Sequence, residues 1–410
     1  MSENENNLYT EQHSAHRVHN AELITEKFQR QKRRRRIFRI LRRCGILLVL
    51  LAILFGAGYG IYHYWHLFQP ETLREAVTLR DETKSLMKIG GALDIITGNT
   101  AHYTAFADGL AVVTTTGIRY ATEDGEEGFL SEYELTQPTA VSEGDYLAVY
   151  DRGGRFLYLA DESGELATAT AVGTLIDLSV NANGTSVAVT EADGYQCAVT
   201  VYDKQFNRQY LWKTPEYFAT SGIASVEQNV FAVAVVQIQD NRLYHSVLLF
   251  DMQKEGVLAE IPIGKTAVIA LHECDDGFLI VTESDVVCSS WDGTVCARVS
   301  LDGDRVCGIV PDSKAMFLLL EVDNDVTVRY RMVRIGSDGA LVAERKTKSE
   351  IKSISASNGM LAVLTGHQIC LYDAELDVKK YVSPEPGVKN IVLMHNNKLI
   401  MITPQEIFIA

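Results

Sequence analysis

Apolar and polar residues alternate in short runs along most of this chain, and each run ends at a turn. In residues 144–165, "GDYLAVYDRGGRFLYLADESGE", two such runs are separated by Arg152–Gly153–Gly154 and followed by a second glycine-containing turn. A period of two residues is typical of a β-strand with one face buried. The stretch therefore predicts a β-hairpin.

The same hairpin pattern recurs from residue 109 to the end of the chain. Strings such as "GLAVVT", "TSVAVTE", "GFLIVTE" and "GMLAVLTG" share one equivalent apolar position, and successive positions lie 37 to 48 residues apart. These positions are Leu110, Leu147, Val187, Phe231, Leu279, Phe317, Leu361 and Leu399. A repeat of about 40 residues that contains several short strands is typical of a propeller blade. The sequence predicts an all-β fold, an eight-bladed β-propeller, with seven blades as the alternative.

An aspartate follows many of the apolar runs at the same point of the repeat. Clear examples stand in "LYLAD", "VTVYD", "VLLFD", "SSWD" and "ICLYD". The full set is Asp124, Asp161, Asp203, Asp251, Asp292, Asp338 and Asp373. A short carboxylate accepts hydrogen bonds from nearby backbone N–H groups, so these residues are predicted to start turns. Because each lies in a different repeat, no metal site is predicted from them.

The last repeat has room for only three strands. It reads "KNIVLMHNNKLIMITPQEIFIA" and reaches Ala410 directly after the third apolar run. Residues 73–97 precede the first full repeat and contain a surplus strand. We expect that strand to complete the last blade, which would close the ring through both ends of the repeat region.

A long apolar run separates a basic N-terminal segment from the repeats. Residues 45–65 contain no Asp, Glu, Lys or Arg, and 21 helical residues at about 1.5 Å each match a hydrocarbon core of roughly 30 Å. The run ends in Tyr and Trp residues, which favour the membrane interface, and follows "KRRRRIFRILRR", which favours a cytoplasmic N-terminus. The predicted domains are a partly disordered basic cytoplasmic tail at 1–43, a transmembrane helix at 44–68 and an extracytoplasmic propeller at 69–410. The expected location is a plasma membrane, with a single pass.

Charge divides the chain at the same place. Residues 1–44 carry 11 Lys or Arg against 5 Asp or Glu, whereas the rest of the chain carries 27 against 48. A strongly acidic domain repels a polyphosphate, which argues against nucleic acid as a partner. The membrane, contacted through residues 45–65, is the one partner that the sequence predicts directly.

In these repeats the chain resembles an uncharacterised bacterial family of single-span membrane proteins with a quinoprotein-like or WD40-like propeller. The strings that carry the resemblance are "LAVYDRGGRFLYLADESGEL", "VAVTEADGYQCAVTVYDKQFN" and "LAVLTGHQICLYDAELD". The resemblance implies the same architecture over roughly residues 30–410. The chain departs from quinoprotein dehydrogenases in lacking their recurrent tryptophan motif and vicinal cysteines, and Trp291–Asp292 is its one Trp-Asp pair. No cofactor is therefore predicted.

Candidate chemistry is sparse in the repeat region. Its six cysteines, Cys197, Cys274, Cys288, Cys296, Cys307 and Cys370, form no C-x-x-C motif, and most stand in apolar strands where they would pack as small hydrophobes. Cys288 and Cys296 are the one close pair: a two-residue turn at Asp292–Gly293 would misalign them, and a three-residue loop would allow a disulfide. Tyr146, Tyr150, Arg152 and Arg155 could line a rim, although such tyrosines more often pack between blades.

No catalytic motif is recognised, and the histidines are scattered over different repeats. The sequence therefore predicts a membrane-tethered, non-enzymatic binding or scaffold module for an envelope protein or cell-wall component. The alternative is a small-ligand sensor or an enzyme that uses the central channel, such as a divergent quinoprotein or a lyase-like propeller.

Overall fold

The computed structural model describes residues 87–88, 101–323, 328–404 and 406–410. These residues form eight antiparallel sheets of four strands each. The predicted tail and membrane helix at 1–68 lie outside the described residues. Among the described residues, no helix is long and apolar enough to cross a membrane.

Each sheet is one blade, and seven blades take their four strands consecutively from the chain. Blades 1 to 4 are made of β2 (His102–Phe106), β3 (Gly109–Thr114), β4 (Gly117–Ala121) and β5 (Glu127–Glu132); β6 (Pro138–Glu143), β7 (Tyr146–Asp151), β8 (Phe156–Asp161) and β9 (Gly164–Thr170); β10 (Leu175–Val180), β11 (Ser186–Ala192), β12 (Tyr195–Tyr202) and β13 (Arg208–Thr214); and β14 (Phe218–Ala224), β15 (Val230–Gln239), β16 (Arg242–Asp251) and β17 (Ala259–Gly264).

Blades 5 to 7 follow the same order. They are made of β18 (Val268–Glu273), β19 (Gly277–Thr282), β20 (Asp285–Ser290) and β21 (Val295–Ser300); β22 (Arg305–Asp312), β23 (Ala315–Glu321), β24 (Tyr330–Ile335) and β25 (Leu341–Thr347); and β26 (Ile351–Ser357), β27 (Met360–Thr365), β28 (Ile369–Tyr372) and β29 (Val378–Val382).

Blade 8 joins the two ends of the ring. It contains β30 (Asn390–Leu393), β31 (Leu399–Ile402) and β32 (Ile407–Ile409), and β1 (Met87–Lys88) is its outermost strand. Met87 pairs with Ile409 and Lys88 with Phe408, in antiparallel register. The predicted closure by a strand from residues 73–97 is confirmed, and so is the count of eight blades rather than seven.

The core lies between neighbouring blades. The second strand of each blade is apolar on both faces because it is covered by a blade on either side. The eight equivalent apolar positions recognised in the sequence all fall on these second strands, and their side chains are at most 2% exposed. The opening stretch of residues 144–165 contains β7 and β8, the second and third strands of blade 2, as predicted.

Six of the seven repeated aspartates start turns by accepting a backbone hydrogen bond, as the sequence predicts. Asp161, Asp203, Asp251, Asp292, Asp338 and Asp373 each accept a hydrogen bond on Oδ1 from the backbone N–H two residues later. In blade 1 the hydroxyl of Thr122 accepts the equivalent bond from Glu126 N, at 3.3 Å, so Asp124 does not start that turn. The aspartates are structural, and no group of three metal-ligating side chains occurs among residues that the structure describes.

Candidate functional site

The central channel is the natural place for a site, and it is lined by the first strand of every blade. Contacts between successive first strands run around the ring, for example between β2 and β6, β14 and β18, and β26 and β30. Since all first strands run in the same direction, their ends meet at one face of the ring. We call this the clasp face; it also holds the turns between third and fourth strands. The opposite face holds the turns between second and third strands and the connections between blades; we call it the ribbon face, after the hairpin at residues 237–244 that projects from it.

Hydroxyl groups cover part of the free edge of these first strands. Ser353 and Ser355 of β26 accept hydrogen bonds from Ile391 N and Leu393 N of β30, at 3.3 and 2.9 Å. In blade 2, Ser142 donates to the carbonyl of Ala105, at 2.8 Å. Inward-facing backbone groups that a packed channel would leave without partners are satisfied in this way.

Polar side chains at the clasp face tie each blade to the next. Asn181 donates to the carbonyls of Ala224 and Ser225, both at 3.2 Å, and the carboxylate of Asp312 accepts from Gly359 N at 3.0 Å. His272 Nε2 lies 2.6 Å from the carbonyl oxygen of Ser313. Because His272 is buried, desolvation lowers its pKa and the ring is neutral at pH 7.

These clasp residues were missed by sequence reasoning. A signal was available, since Asn181, Asp312 and His272 are polar residues that stand within one residue of the end of a first strand. Its role could not be read from the sequence because the partner always lies in the next blade, about 40 residues away. The predicted scatter of histidines is explained in part here, since His272 and His395 serve clasps in two different blades.

One carboxyl in the channel has a strongly perturbed pKa. Glu143 is half-buried at the last position of β6, and no described residue donates a hydrogen bond to its carboxyl group. Burial and the nearby charge of Glu273 raise the pKa of Glu143 to about 7, although Lys314 opposes the shift. Glu273 itself is held by Lys314 Nζ at 3.0 Å and by Val226 N at 3.2 Å. Glu143 is thus a channel carboxyl that gains and loses its proton near neutral pH.

A second half-buried carboxyl, that of Asp177, lies beside the predicted rim residue Tyr150. Tyr150 is only 3% exposed and its hydroxyl lies 3.4 Å from Asp177 Oδ1, on the first strand of blade 3. Burial, chiefly, raises the pKa values of both groups, that of Tyr150 to about 12. Tyr150 therefore packs between blades, as the packing interpretation of the sequence expected.

The other predicted rim residues do not converge with Tyr150. Tyr146 lies at the opposite end of β7, where its ring approaches Gly184. Arg152 is exposed in the turn after β7, and Arg155 donates from Nη2 to the carbonyl of Val172. Tyr146 and Tyr150 lie on one face of β7 but near its opposite ends, and Arg152 and Arg155 lie in the turn beyond it, so the four residues form no common site.

Five consecutive first strands carry a β-bulge near their start. The register shifts in β10, β14, β18, β22 and β26, whereas β2, β6 and β30 pair without interruption. The extra residues are Ile176, Thr220, Ile269, Cys307 and Lys352. Except for Ile176, which is half-buried, these side chains are exposed. Bulges redirect side chains at the rims of closed sheets, so blades 3 to 7 project side chains into one arc of the channel mouth at the ribbon face.

The ribbon face also carries a hairpin that extends beyond its blade. The strands β15 and β16 pair over ten residues each, but β14 reaches only to Val236 and β17 only to His245. Residues 237–244 therefore project as a two-stranded ribbon with both backbone edges free. Ile238 and Leu243, which pair across it, are 59% and 54% exposed.

Turn residues give the two faces different charge. The described turns of the clasp face contain 16 Asp or Glu against 4 Lys or Arg, and those of the ribbon face contain 11 against 6. The acidity of the chain is therefore concentrated on the clasp face. The ribbon face is the less acidic side, and it carries the exposed side chains of Ile238 and Leu243.

The cysteines are free thiols throughout the part of the chain that the structure describes. Cys288 pairs with Ala297, and a bulge leaves Cys296 exposed and away from it, so the close sequence pair does not come face to face. Cys274 Sγ lies 3.7 Å from Cys288 Sγ instead. Cys274 lies in the turn after β18 and Cys288 on β20, with β19 between them in the sheet.

Comparison with known proteins agrees with the repeat region as one unit. The model of a family of unknown function (DUF5711) matches residues 80–409. The chain belongs to this family. No curated protein sequence matches it.

Solved structures resemble this chain at low identity. BamB from Moraxella catarrhalis is 9% identical, with 79% of this chain and 98% of that chain covered and a TM-score of 0.46. A eukaryotic initiation factor is 13% identical over 74% of this chain and 80% of its own, with a TM-score of 0.48. A streptogramin B lyase is 11% identical over 79% and 96%, with a TM-score of 0.43. The blade count of the DUF5711 chain rests on its own strand order.

Proposed function

We propose that this protein is a single-pass, membrane-tethered binding module whose propeller lies outside the plasma membrane and holds an envelope protein or a cell-wall component. The tether is the apolar run at 45–65, and the basic residues before it favour a cytoplasmic N-terminus. In this proposal the propeller binds the partner, and the short basic tail determines the topology of the chain in the membrane.

The observation that carries a binding function is the projecting ribbon of blade 4. The blades bury their apolar second strands completely, yet Ile238 and Leu243 stand in solvent at the tip of a hairpin that contributes nothing to blade packing there. Exposed apolar surface of this kind is typical of an interaction site. The tight turn at Asp240–Asn241, where both residues have positive φ, holds the two side chains on one face.

Topology is tested by protease treatment of intact spheroplasts and of lysed ones. The proposal predicts that the propeller is degraded from outside and that an N-terminal epitope is protected until lysis. Protection of the propeller in intact spheroplasts would overturn the extracytoplasmic assignment.

Binding is tested by photo-crosslinking in intact cells. A photoreactive amino acid replaces Ile238 in one strain and Leu341, which is 47% exposed at the start of β25, in another. We expect a reproducible crosslink to one envelope component from position 238. No crosslink from either position would count against the binding function.

A second candidate, a small-ligand site in the channel, is favoured by Glu143. A carboxyl whose pKa is raised to about 7 can change charge on binding a cationic or proton-donating ligand. Thermal unfolding of the full chain with quinones, sugars and divalent cations tests this candidate. A large upward shift with one class that is lost in Glu143→Gln would promote it, and no shift with any class would remove it.

A further inference from the structure

The mouth of the channel at the ribbon face combines a free strand edge with an apolar cluster. Beyond Val236, the edge of β15 that faces the channel has no partner strand. Gln237 and Gln239 direct their backbone groups to β16, whereas the N–H and C=O of Ile238 point to this free edge and are unpaired there. Phe218 pairs with Val236, which places its side chain on the same face of the sheet as Ile238. Ile269, the bulge residue of the neighbouring first strand, is 43% exposed beside them.

Apolar residues of this cluster are among the most exposed of the described chain. Phe218 is 42% exposed, and Ile238 and Leu243 are each more than half exposed. They face blade 5, because the alternate residues Ala232, Val247 and Leu249 pack on blade 5 further down the same two strands. The second strand of blade 5 is shorter and does not reach the ribbon, which leaves this face of the ribbon uncovered.

Positive charge lies across the same mouth, on blades 7 and 8. Lys352 is the bulge residue of β26, and Lys389 directly precedes β30. Both are exposed, and neither forms an ion pair with a described residue. Lys348 stands in the turn before β26. The mouth therefore has an apolar side with a free strand edge, and two lysines without ion pairs to described residues lie across from it.

We propose that this mouth binds an extended segment of a partner protein, which adds as a strand to the free edge of β15. The inference rests on the proposed binding function and names its surface and its ligand. An extended chain is the partner that can pair with the N–H and C=O of Ile238 and at the same time lie along the apolar side chains beside it. Alternate apolar side chains of the segment would pack on Phe218, Ile238 and Ile269. Complementary charge requires Asp or Glu at the end of the segment that reaches Lys352 and Lys389.

The experiment extends the crosslinking of the full chain in intact cells. Photoreactive residues are placed at 238 and 269 in the mouth and at 341 on the clasp face, and the crosslinked segment of the partner is sequenced by mass spectrometry. The same crosslinks are measured in Lys352→Glu/Lys389→Glu. The matched control, Lys204→Glu/Lys254→Glu, makes the same change in net charge on the clasp face.

We expect crosslinks from 238 and 269 to one segment with alternating apolar residues and a nearby Asp or Glu. Their yield should fall about fivefold in Lys352→Glu/Lys389→Glu and stay unchanged in the control. Four results would overturn the inference while leaving a binding function. They are a partner captured only from position 341, a crosslinked segment that is basic, a yield that does not change in Lys352→Glu/Lys389→Glu, and crosslinks to this chain or to a second copy of it. No crosslink from any position would overturn the proposed function itself.

Discussion

We predict that the Glu143→Gln substitution makes the free energy of unfolding less dependent on pH. Burial and the charge of Glu273 raise the pKa of Glu143 from its ordinary 4.5 to about 7 in the folded chain. The native state therefore keeps the proton at pH values where the unfolded chain has released it. The stabilisation that this proton gives is complete below about pH 4.5 and is lost as the pH rises towards 7.

The size of the effect follows from the two pKa values. Each tenfold change in proton affinity is worth about 1.4 kcal/mol, so a pKa raised from 4.5 to about 7 costs the wild-type chain about 3 kcal/mol once both states have lost the proton. The amide introduced by Glu143→Gln is neutral at every pH and avoids this cost. The variant should exceed the wild type in free energy of unfolding by about 1 kcal/mol at pH 5.5 and about 3 kcal/mol at pH 8.

Urea unfolding of the full chain at several pH values measures this difference. Glu255→Gln, an exposed substitution of the same kind in the turn between β16 and β17, is the matched control and should not change the pH dependence. A Glu143→Gln variant that is less stable than the wild type at pH 8, or a difference that stays constant from pH 5.5 to 8, would refute the burial argument.

Contacts between and within blades give three further predictions. Asn181→Ala removes two hydrogen bonds to blade 4 and should lower the free energy of unfolding by about 2 kcal/mol in urea titrations; a loss below about 0.5 kcal/mol would contradict the role of the clasp. Arg331→Met leaves the half-buried carboxylate of Asp304, 2.8 Å from Arg331 Nε, without its cation and should cost about 3–5 kcal/mol, whereas Asp302→Asn, at an exposed partner, should cost less than about 1 kcal/mol. Alkylation under denaturing, non-reducing conditions followed by mass spectrometry should find both Cys274 and Cys288 as thiols, because their sulfur atoms lie 3.7 Å apart and a disulfide requires about 2.05 Å; a disulfide between them would contradict this.

The sequence is sufficient for the blades because each blade is specified locally. The apolar runs, the turn-starting aspartates and the repeat spacing all act within about 40 residues, and they placed Leu147 and its seven equivalents on second strands. The surplus strand before the first blade was also predictable, since the last repeat contained only three apolar runs.

The site was not predictable because it depends on contacts between blades and on strand ends. A bulge such as that at Ile269 leaves no distinctive residue in the sequence, and the length of β15 and β16 matters only relative to blade 5. Likewise, Tyr146 and Tyr150 look like neighbours on a rim, yet strand geometry places them at opposite ends of β7. The sequence likewise does not show that Lys352 lies across the channel mouth from the ribbon, and its proposed role in binding depends on that position.

Hydrogen–deuterium exchange at the ribbon tests the central claim, that this propeller presents a docking surface. Exchange is compared between the full chain in native membranes, where its partner is present, and the purified full chain. We predict that the amide of Ile238, which faces the free edge, exchanges rapidly in the purified protein and is protected in membranes, while the amides of the clasp face do not change. Equal exchange of the ribbon in both preparations would contradict the claim.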